Sequence, residues 1–398
     1  MKTINEALTL ILEQAFTLES EIVNIHEAYN RILAEDITAD RDYPPFNRAT
    51  MDGYALNTSD WNERNIRQYN LVEELHAGAV PSRKIGKGDC LKIMTGAPVP
   101  PEADVVIQVE LSSQKGNLVS FEGNEALNKW GNIALQGEDK NQGQVLAEKG
   151  QVCNAAIISI LAVTGKMQVK VAKLPNISVI STGTEVLPAD GPILPHQIRD
   201  SNSYALQTLL KKYNIELQHK LLIPDDKPKL MEAVAKGLES DILILSGGVS
   251  MGDADFVPEI LKANDVKNIF HKIQIKPGKP LWFGKKDNGT IVFGLPGNPM
   301  SCQVGFKVFI EPFLRKVMGL PKLRSLYLPL IANHRKRSKF TEYFPAQIVN
   351  KEGQTFLKTN TYQTSGDIAA MIGSDGLALH PAEATEVTQN MVIEFLPW

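Results

Sequence analysis

The stretch Asp241 to Phe256, DILILSGGVSMGDADF, decides the fold of the central part of this chain. Residues 242–245 form an unbroken apolar run, which is typical of a strand buried on both faces of a parallel sheet. Gly247 and Gly248 follow, and adjacent glycines let the backbone turn sharply and approach a ligand closely. A strand, a glycine loop and a helix in this order build the ligand sites of open α/β sheets. An ordinary turn with solvated acids also fits this stretch when it is taken alone.

The surrounding sequence repeats the alternation of strand and helix. This rhythm predicts a doubly wound α/β domain. The predicted strands are 177–181, 215–223, 241–245, 269–275, 281–283 and 291–293, and the predicted helices are 202–213, 226–238, 256–263 and 298–318. We expect Asn202 and Asn298 to be the N-caps of their helices.

The flanking regions have other patterns. Residues 4–19 and 26–33 show the spacing of two amphipathic helices. From residue 54 to 147, short apolar runs alternate with glycine-rich breaks, which predicts a β-rich domain. Strand-like runs after Pro321 predict a small C-terminal β barrel or sandwich. A chain of 398 residues has room for roughly two to four such domains.

Composition excludes several classes of partner. The formal net charge of −3 argues against bulk binding to nucleic acid. Three widely spaced cysteines predict neither a disulfide framework nor a zinc site, which suits a reducing cytoplasm. The N-terminus has helical spacing rather than a signal-peptide core, and no apolar run is long enough to span a membrane. We therefore expect a cytoplasmic protein with neither a nucleic-acid nor a membrane partner.

Acidic and basic residues collect where the predicted strands end. The acids are Glu185, Asp200, Asp225, Asp226, Asp253 and Asp255. The alternation in IQIK predicts that Lys272, Gln274 and Lys276 lie on one side of a strand. Lysines and a glycine loop suit a phosphorylated ligand, and a divalent cation would relieve its repulsion by the carboxylates. Oxygen ligands beside phosphate favour Mg²⁺, so the expected chemistry is metal-assisted attack at a phosphate or oxyanion centre. A Ser-His-Asp arrangement, HExxH and GxxxxGK[ST] are all missing from the sequence.

Eight motifs are distributed along the whole chain: RATMDGYAL, KIMTGAPVP, GEDKNQG, ISTGTEV, IRDSN, GGVSMGDAD, IKPGKP and GLPGNPMS. In sequence and in order they resemble the motifs of the molybdopterin molybdenumtransferase family, which includes MoeA and the gephyrin E domain. The sequence departs from the usual pattern at Ala49, where the family usually has serine, and at Pro101 and Glu102, where a glycine is more usual.

The resemblance implies a fold of four parts. Residues 1–40 and 145–175 would form a discontinuous linker domain, and residues 41–144 an inserted β-rich domain. Residues 176–320 would form the α/β molybdopterin-binding domain, and residues 321–398 the C-terminal β barrel. Family members are elongated homodimers, with an active site between the α/β domain of one subunit and the inserted domain of the other.

The resemblance also implies the reaction. Adenylylated molybdopterin and molybdate would give molybdenum cofactor and AMP in a Mg²⁺-dependent step. The implied catalytic residues are Asp52, Thr95, Asp139, Glu185, Asp226, Asp255, Lys272 and Lys276, of which Glu185, Asp226 and Asp255 would surround the metal. The implied substrate-binding residues are Gly247, Gly248, Ser250, Lys279, Pro296, Pro299 and Ser365. A transient contact with the molybdopterin adenylyltransferase is a further expectation.

Two alternatives to this enzyme remain. One is a non-catalytic scaffold of the gephyrin type, although its usual extra domain or long linker is not seen in this sequence. The other is the molybdopterin adenylyltransferase itself, which shares the α/β domain. That enzyme needs neither an inserted domain nor a barrel, so the chain length disfavours it.

Overall fold

The computed structural model describes residues 1–249, 256–336 and 338–398. These residues form two compact units. The first contains Met1–Val23, Ala28–Ala34 and Lys170–Trp398, and the second contains Asn24–Glu27 and Glu35–Val169. The strands Ser20–Asn24 and Gln168–Ala172 include positions where the chain passes from one unit to the other. The four-part division implied by the resemblance stays a prediction.

A six-stranded sheet forms the centre of the first unit. Its strands, in spatial order, are Leu217–Ile223, Ile177–Thr182, Ile242–Ser246, Ile291–Leu295, Trp282–Lys286 and Val266–His271. The first four are parallel, and the last two are antiparallel to their neighbours. The α-helices of this unit are Ile4–Glu13, Asn202–Lys211, Lys227–Gly237, Val257–Ala263, Pro299–Gly305 and Glu311–Val317. This arrangement confirms the predicted doubly wound α/β fold.

The apolar run that opens the sequence analysis is buried on both faces of this sheet. Ile242 and Ile244 join a core that includes Leu206 of one helix. Leu243 and Leu245 join a separate core on the opposite face. Successive side chains of a strand point to opposite faces, so an unbroken apolar run is what a doubly covered strand requires.

A second sheet in the same unit forms the C-terminal β structure. Its strands, in spatial order, are Ile275–Lys276, Thr341–Lys351, Gly376–His380, Val392–Pro397 and Leu326–Pro329, with Gln354–Thr359 paired beside Thr341–Lys351. Two short strand pairs complete this unit: His334–Arg335 with Glu386–Val387, and Val186–Leu187 with Ile198–Arg199. The predicted C-terminal β domain is therefore present, and the strand Ile275–Lys276 enters its sheet from the α/β part of the chain.

The second unit is β-rich, as predicted. Its six-stranded sheet has the order Val105–Gln108, Gly53–Leu56, Asp89–Ile93, Gln68–Leu75, Leu118–Phe121 and Ser112–Lys115. Shorter pairs join Ile37–Thr38 to Val145–Ala147 and Arg48–Ala49 to Ile133–Ala134. Its α-helices are Thr58–Asn62 and Ala155–Val163, and Ile25–Glu27 and Val109–Leu111 are 3-10 turns. No helix within the described ranges is long and apolar enough to cross a membrane.

Several local predictions were wrong. The first helix ends at Glu13 rather than at residue 19. Residues 26–33 form no α-helix, because Asn30 has a φ of 61° and Leu33 pairs with Val171 in an extended bridge. The apolar spacing there reflects burial of an extended segment.

The helix starts also differ in detail from the predictions. The N-cap of the helix Asn202–Lys211 is Ser201, one residue earlier than expected. Asn298 is the N-cap of its helix, but its side chain makes no capping hydrogen bond. The predicted helix 298–318 contains a π-helical segment, Phe306–Ile310, between two α-helical parts.

Candidate functional site

A cavity of about 1200 Å³ lies at the carboxyl ends of the parallel strands in the first unit. The segments after three neighbouring strands line it, with Glu185 from the first, Gly247 and Gly248 from the second, and Pro296 from the third. Open α/β sheets bind their ligands at this edge. The structure thus brings these four predicted site residues, and Pro299 as a fifth, to one cavity.

The glycine loop has a backbone that other residues adopt poorly. Gly247 and Gly248 have φ angles of 96° and 64°. A Cβ added to Gly247 would lie 2.3 Å from the carbonyl oxygen of Thr182. Both positions therefore require glycine, which leaves the backbone exposed to the cavity. The rest of the predicted loop, with Ser250, Asp253 and Asp255, lies outside the described residues.

Two aspartates that are adjacent in sequence, Asp225 and Asp226, have different positions beside this loop. Asp225 lines the cavity and accepts hydrogen bonds from Thr182 Oγ1 at 2.7 Å and from the backbone N–H of Thr184 at 3.1 Å. Asp226 is the N-cap of the next helix, where it accepts from the N–H of Lys229 at 3.0 Å. Asp226 is not among the described residues that line the cavity. Its predicted role at the metal stays a prediction, and the geometry favours Asp225 for the cavity wall.

Two side chains of the segment IRDSN make hydrogen bonds that hold the cavity wall together. Buried Asp200 accepts hydrogen bonds from Ser181 Oγ at 3.1 Å and from Ser203 Oγ at 2.6 Å. Asn202 Nδ2 donates to Ser246 Oγ at 2.8 Å and to the carbonyl oxygen of Gly297 at 2.7 Å. Asn202 thereby connects the ends of two adjacent strands, and both Asp200 and Asn202 line the cavity.

The C-terminal β structure also reaches the cavity. Asn298 Nδ2 donates to Ser365 Oγ at 3.0 Å, and Gly366 and Ile368 of the same loop line the cavity. Pro299 lines it beside Asn298. The structure therefore places Ser365 next to Asn298 at the edge of the cavity.

The three predicted lysines are not among the described residues that line the cavity. The predicted shared face of Lys272, Gln274 and Lys276 is wrong, because the strand ends at His271 and Lys272 has a φ of 69°. Lys276 Nζ lies 3.7 Å from a carboxylate oxygen of Glu342. Lys279 Nζ lies 5.9 Å from the centre of the Phe340 ring, a loose cation–π distance.

A magnesium site requires oxygen ligands. Within the described residues, no three side chains of His, Cys, Asp or Glu are arranged to hold a metal ion. Mg²⁺ usually takes only one or two carboxylates, with substrate phosphates and water completing its shell. Glu185 and Asp225, which both line the cavity, fit that smaller requirement.

In the second unit the structure brings Asp52 and Thr95 together. Both the N–H and the hydroxyl of Thr95 donate to Asp52 Oδ1, at 2.7 and 2.6 Å. The hydroxyl and the N–H of Thr95 lower the pKa of Asp52, although the carboxylate is exposed.

Ala49 is fully buried, so its methyl group packs in the core. Asp139 lies on an exposed loop. Its backbone N–H donates to the carbonyl oxygen of Tyr43 at 3.0 Å, which holds the loop in place.

Comparisons with known proteins match nearly the whole chain. Three family models match it: "MoeA N-terminal region (domain I and II)" over residues 2–165, "Probable molybdopterin binding domain" over 178–316, and "MoeA C-terminal region (domain IV)" over 327–398. The molybdopterin molybdenumtransferase of Staphylococcus epidermidis is 31% identical over 386 residues, which cover 95% of this chain and 91% of the relative. That of Staphylococcus aureus is 31% identical over 384 residues with the same coverage. The chain belongs to the molybdopterin molybdenumtransferase family.

Solved MoeA structures have the same fold. Two structures of the molybdopterin biosynthesis MoeA protein from Pyrococcus horikoshii match with TM-scores of 0.81 and 0.82, at 28% and 26% identity. They cover 99% and 100% of this chain, and 98% and 100% of their own chains. The α/β part, the β-rich unit and the C-terminal β structure therefore all belong to this MoeA-type fold.

Three polar side chains that line the cavity were not predicted as site residues from the sequence. They are Asp225, Asp200 and Asn202, all within motifs or acid pairs that the sequence analysis quotes. The IPDD segment showed two acids, but the sequence alone could not tell which one caps the helix. For IRDSN, the signal was a polar cluster directly before a helix.

Proposed function

We propose that this chain is a molybdopterin molybdenumtransferase that inserts molybdate into adenylylated molybdopterin and releases AMP. The observation that carries the proposal is the cavity of about 1200 Å³ at the strand ends, with its glycine loop and carboxylates, within the matched molybdopterin-binding region. Relatives named for this activity match 95% of the chain, which favours an enzyme over a scaffold.

Each part of the cavity has a role in this proposal. The backbone at Gly247 and Gly248 lets the phosphorylated ligand approach closely, and Pro296 and Pro299 shape the neighbouring part of the wall. Ser250 belongs to the same predicted binding loop. Ser365, from the C-terminal β structure, would support the wall through its hydrogen bond with Asn298.

The lysines supply positive charge for the anions. Lys272, Lys276 and Lys279 lie on the segment that leads to Pro280, a residue of the cavity wall. Lysine side chains carry their charge on a long flexible stem, so they can reach anions that lie beyond their own backbone. We propose that Lys272 and Lys276 hold the phosphate and molybdate oxygens.

Magnesium fits this site as a shared partner of protein and substrate. We propose that Glu185 holds it together with one acid of the pair Asp225 and Asp226, and that Asp255 completes the set. Bound there, Mg²⁺ neutralises charge on the phosphate oxygens. The carboxylates keep the ion beside the ligand.

We propose further that the enzyme is a homodimer with shared active sites. Asp52, Thr95 and Asp139 of one subunit would complete the cavity of the other. The exposed, hydrogen-bonded pair of Asp52 and Thr95 supports this, because an ordered carboxylate at a surface is ready to meet a ligand. A transient contact with the molybdopterin adenylyltransferase would deliver the adenylylated substrate.

We place the reaction in the cytoplasm. All three cysteines lie in the described part of the chain, are buried and form no disulfide. Buried thiols of this kind suit a reducing compartment.

The proposal is tested with purified protein, adenylylated molybdopterin, molybdate and Mg²⁺. We expect AMP release coupled to cofactor formation, loss of release on chelation of Mg²⁺, and strong loss in Asp255→Ala. Asp287→Ala is the matched control, because this aspartate is exposed and pairs only with the exposed Lys267 among the described contacts. Absence of AMP release by the wild type at saturating molybdate would refute the enzyme assignment.

Mixed dimers test the shared site. Asp52→Ala and Glu185→Ala subunits are each expected to be inactive alone. In a mixed dimer one of the two sites would contain neither substitution, so activity should return. Mixed dimers that form but stay inactive would contradict the shared arrangement.

A further inference from the structure

Glu342 is a buried carboxylate at the junction of the two sheets of the first unit. Only 4% of the surface of Glu342 is exposed to solvent. It lies in the strand Thr341–Lys351, where it is the parallel partner of Lys276. A buried carboxylate is costly unless charges and hydrogen bonds compensate it. The partners of Glu342 therefore show what the side chain does.

Two partners hold the carboxylate from different directions. The hydroxyl of Tyr362 donates to Oε1 at 2.9 Å, and Lys276 Nζ lies 3.7 Å from Oε2. Among the described residues, Oε2 accepts no hydrogen bond of normal length. The Lys276 ammonium is thus an ion-pair partner that donates no hydrogen bond to Oε2, while Tyr362 donates a hydrogen bond of ordinary length to Oε1.

Other basic groups also face Glu342. They are His334, His380 and Lys336, and in each of them burial lowers the pKa although Glu342 acts to raise it. Glu342 therefore lies among basic side chains, and His334, His380, Lys336 and Lys276 form a basic cluster around it. Lys276 is the member of that cluster that extends toward the α/β part of the chain.

Both partners of Glu342 lead to the cavity. Lys276 precedes the short segment that ends at Pro280 in the cavity wall. Tyr362 precedes the loop in which Ser365 bonds to Asn298 and Ile368 lines the cavity. One buried carboxylate thus contacts both segments that enter the site from the side of the C-terminal sheet.

We infer that Glu342 is a positioning residue, which holds the Lys276 side chain and the loop 362–368 beside the cavity for binding of the anionic substrate. The inference rests on the proposed function, because it takes Lys276 as a group that holds the substrate anions. Glu342 itself lies outside the cavity lining given by the described residues and acts through its two partners.

Two substitutions separate the two contacts. Glu342→Gln keeps an oxygen that can accept from Tyr362 but removes the charge that holds Lys276. Tyr362→Phe removes the hydroxyl but leaves the carboxylate. We expect each substitution to raise KM for adenylylated molybdopterin by about fivefold with little change in kcat. This factor corresponds to the free energy of one partly exposed ion pair or one hydrogen bond. Glu394→Gln is the matched control, since Glu394 also lies in this sheet but accepts from Ser325.

A double-mutant cycle distinguishes positioning from mere stabilisation. If Glu342 acts through Lys276, Glu342→Gln should add little to the rise in KM that Lys276→Met causes alone. Fully additive effects of Glu342→Gln and Lys276→Met would overturn the inference. Unchanged KM in both Glu342→Gln and Tyr362→Phe would overturn it as well.

A readout without turnover keeps this test separate from the proposed reaction. Reductive methylation of the folded protein, followed by mass spectrometry, measures how available the Lys276 amine is. We expect Glu342→Gln to increase the labelling rate at Lys276 by about fivefold and Glu394→Gln to leave it unchanged. An unchanged rate in Glu342→Gln sinks the inference even if the enzyme is active. A wild type that releases no AMP refutes the proposed reaction, while the labelling result still decides the contact.

Stability must be measured beside both assays. If Glu342→Gln does not fold, Tyr362→Phe carries the kinetic test, because it leaves the basic cluster neutralised. In that case a folded Tyr362→Phe protein with the KM of the wild type overturns the inference.

Discussion

Asp225 and Asp226 are adjacent and both half-buried, yet the structure gives them different tasks. Asp225 lines the cavity and accepts from Thr182 and Thr184. Asp226 caps the helix Lys227–Gly237. Replacing each with alanine therefore separates a role in the site from a role in helix stability.

The two substitutions should differ in size as well as in kind. Loss of an N-cap costs about 1 kcal/mol, so Asp226→Ala should lower the Tm by about 2–4 °C for a unit of this size. Its kcat/KM should stay close to that of the wild type. Asp225→Ala removes an acceptor of two hydrogen bonds, and half-exposure limits the stability cost to about 1–2 kcal/mol. Loss of a carboxylate beside a metal or phosphate should lower kcat/KM by about tenfold to a hundredfold.

The assay is AMP release with varied adenylylated molybdopterin, together with a thermal unfolding curve for each variant. Asp226→Asn adds a useful control, because asparagine is also a good N-cap. It should restore the Tm that Asp226→Ala loses. If Asp226→Ala loses activity at unchanged Tm while Asp225→Ala keeps it, the assignment from the structure is refuted and the assignment from the sequence is right.

Two further predictions concern buried ionisable groups. Burial lowers the pKa of His334 below its usual 6.5, so the unfolded chain binds more protons as the pH falls through 6.5 and stability is lost there. The Tm of the wild type should fall between about pH 7.5 and pH 5.5. It should fall less in His334→Phe, which keeps a ring stacked on Phe344. An equal fall in Tm for the two proteins would contradict this account. Lys307 and Glu311 are almost fully buried, with Nζ and Oε2 2.6 Å apart. Glu311→Gln should cost about 3–5 kcal/mol in urea unfolding and Lys307→Met/Glu311→Leu much less, because the single change leaves a buried unpaired charge; a single-variant cost below about 1 kcal/mol would count against it.

The central sheet could be predicted from the sequence because one pattern had one structural solution. Residues 242–245 have no polar position, so the strand had to be covered on both faces, and the structure divides its side chains between two cores. Gly247 was informative for a similar reason, since a side chain there would collide with the Thr182 carbonyl. Such constraints are local, and a single sequence displays them.

Other features depend on contacts that a single sequence does not display. The alternation in IQIK indicated a strand, but Lys272 leaves that path with a positive φ, and the strand Ile275–Lys276 pairs instead with the C-terminal sheet. The spacing of residues 26–33 suited a helix equally well, although Leu33 is buried in an extended bridge. In both cases tertiary pairing overrode a short periodic signal.

The site shows the same division between local and distant constraints. The glycine loop and Glu185 were predictable because strand ends carry ligands in this class of sheet. Asn202 was not, because its role depends on Ser246 and Gly297, which are distant in sequence and meet only when the strands lie side by side. Motif matches located the right segment, and the hydrogen bonds identified the supporting side chain.

The C-terminal sheet is part of the site's framework rather than an appendage to it. Ile275 and Leu377 belong to the same hydrophobic core as Phe293 of the central sheet, so the two sheets share one buried interior. From that shared interior, Glu342 holds the segments that reach the cavity. A core shared in this way resists independent movement of the two sheets, because interiors are close-packed. One part of the cavity wall, the loop with Gly366 and Ile368, does not come from the central sheet. The packing of the C-terminal sheet therefore keeps this part of the wall in place.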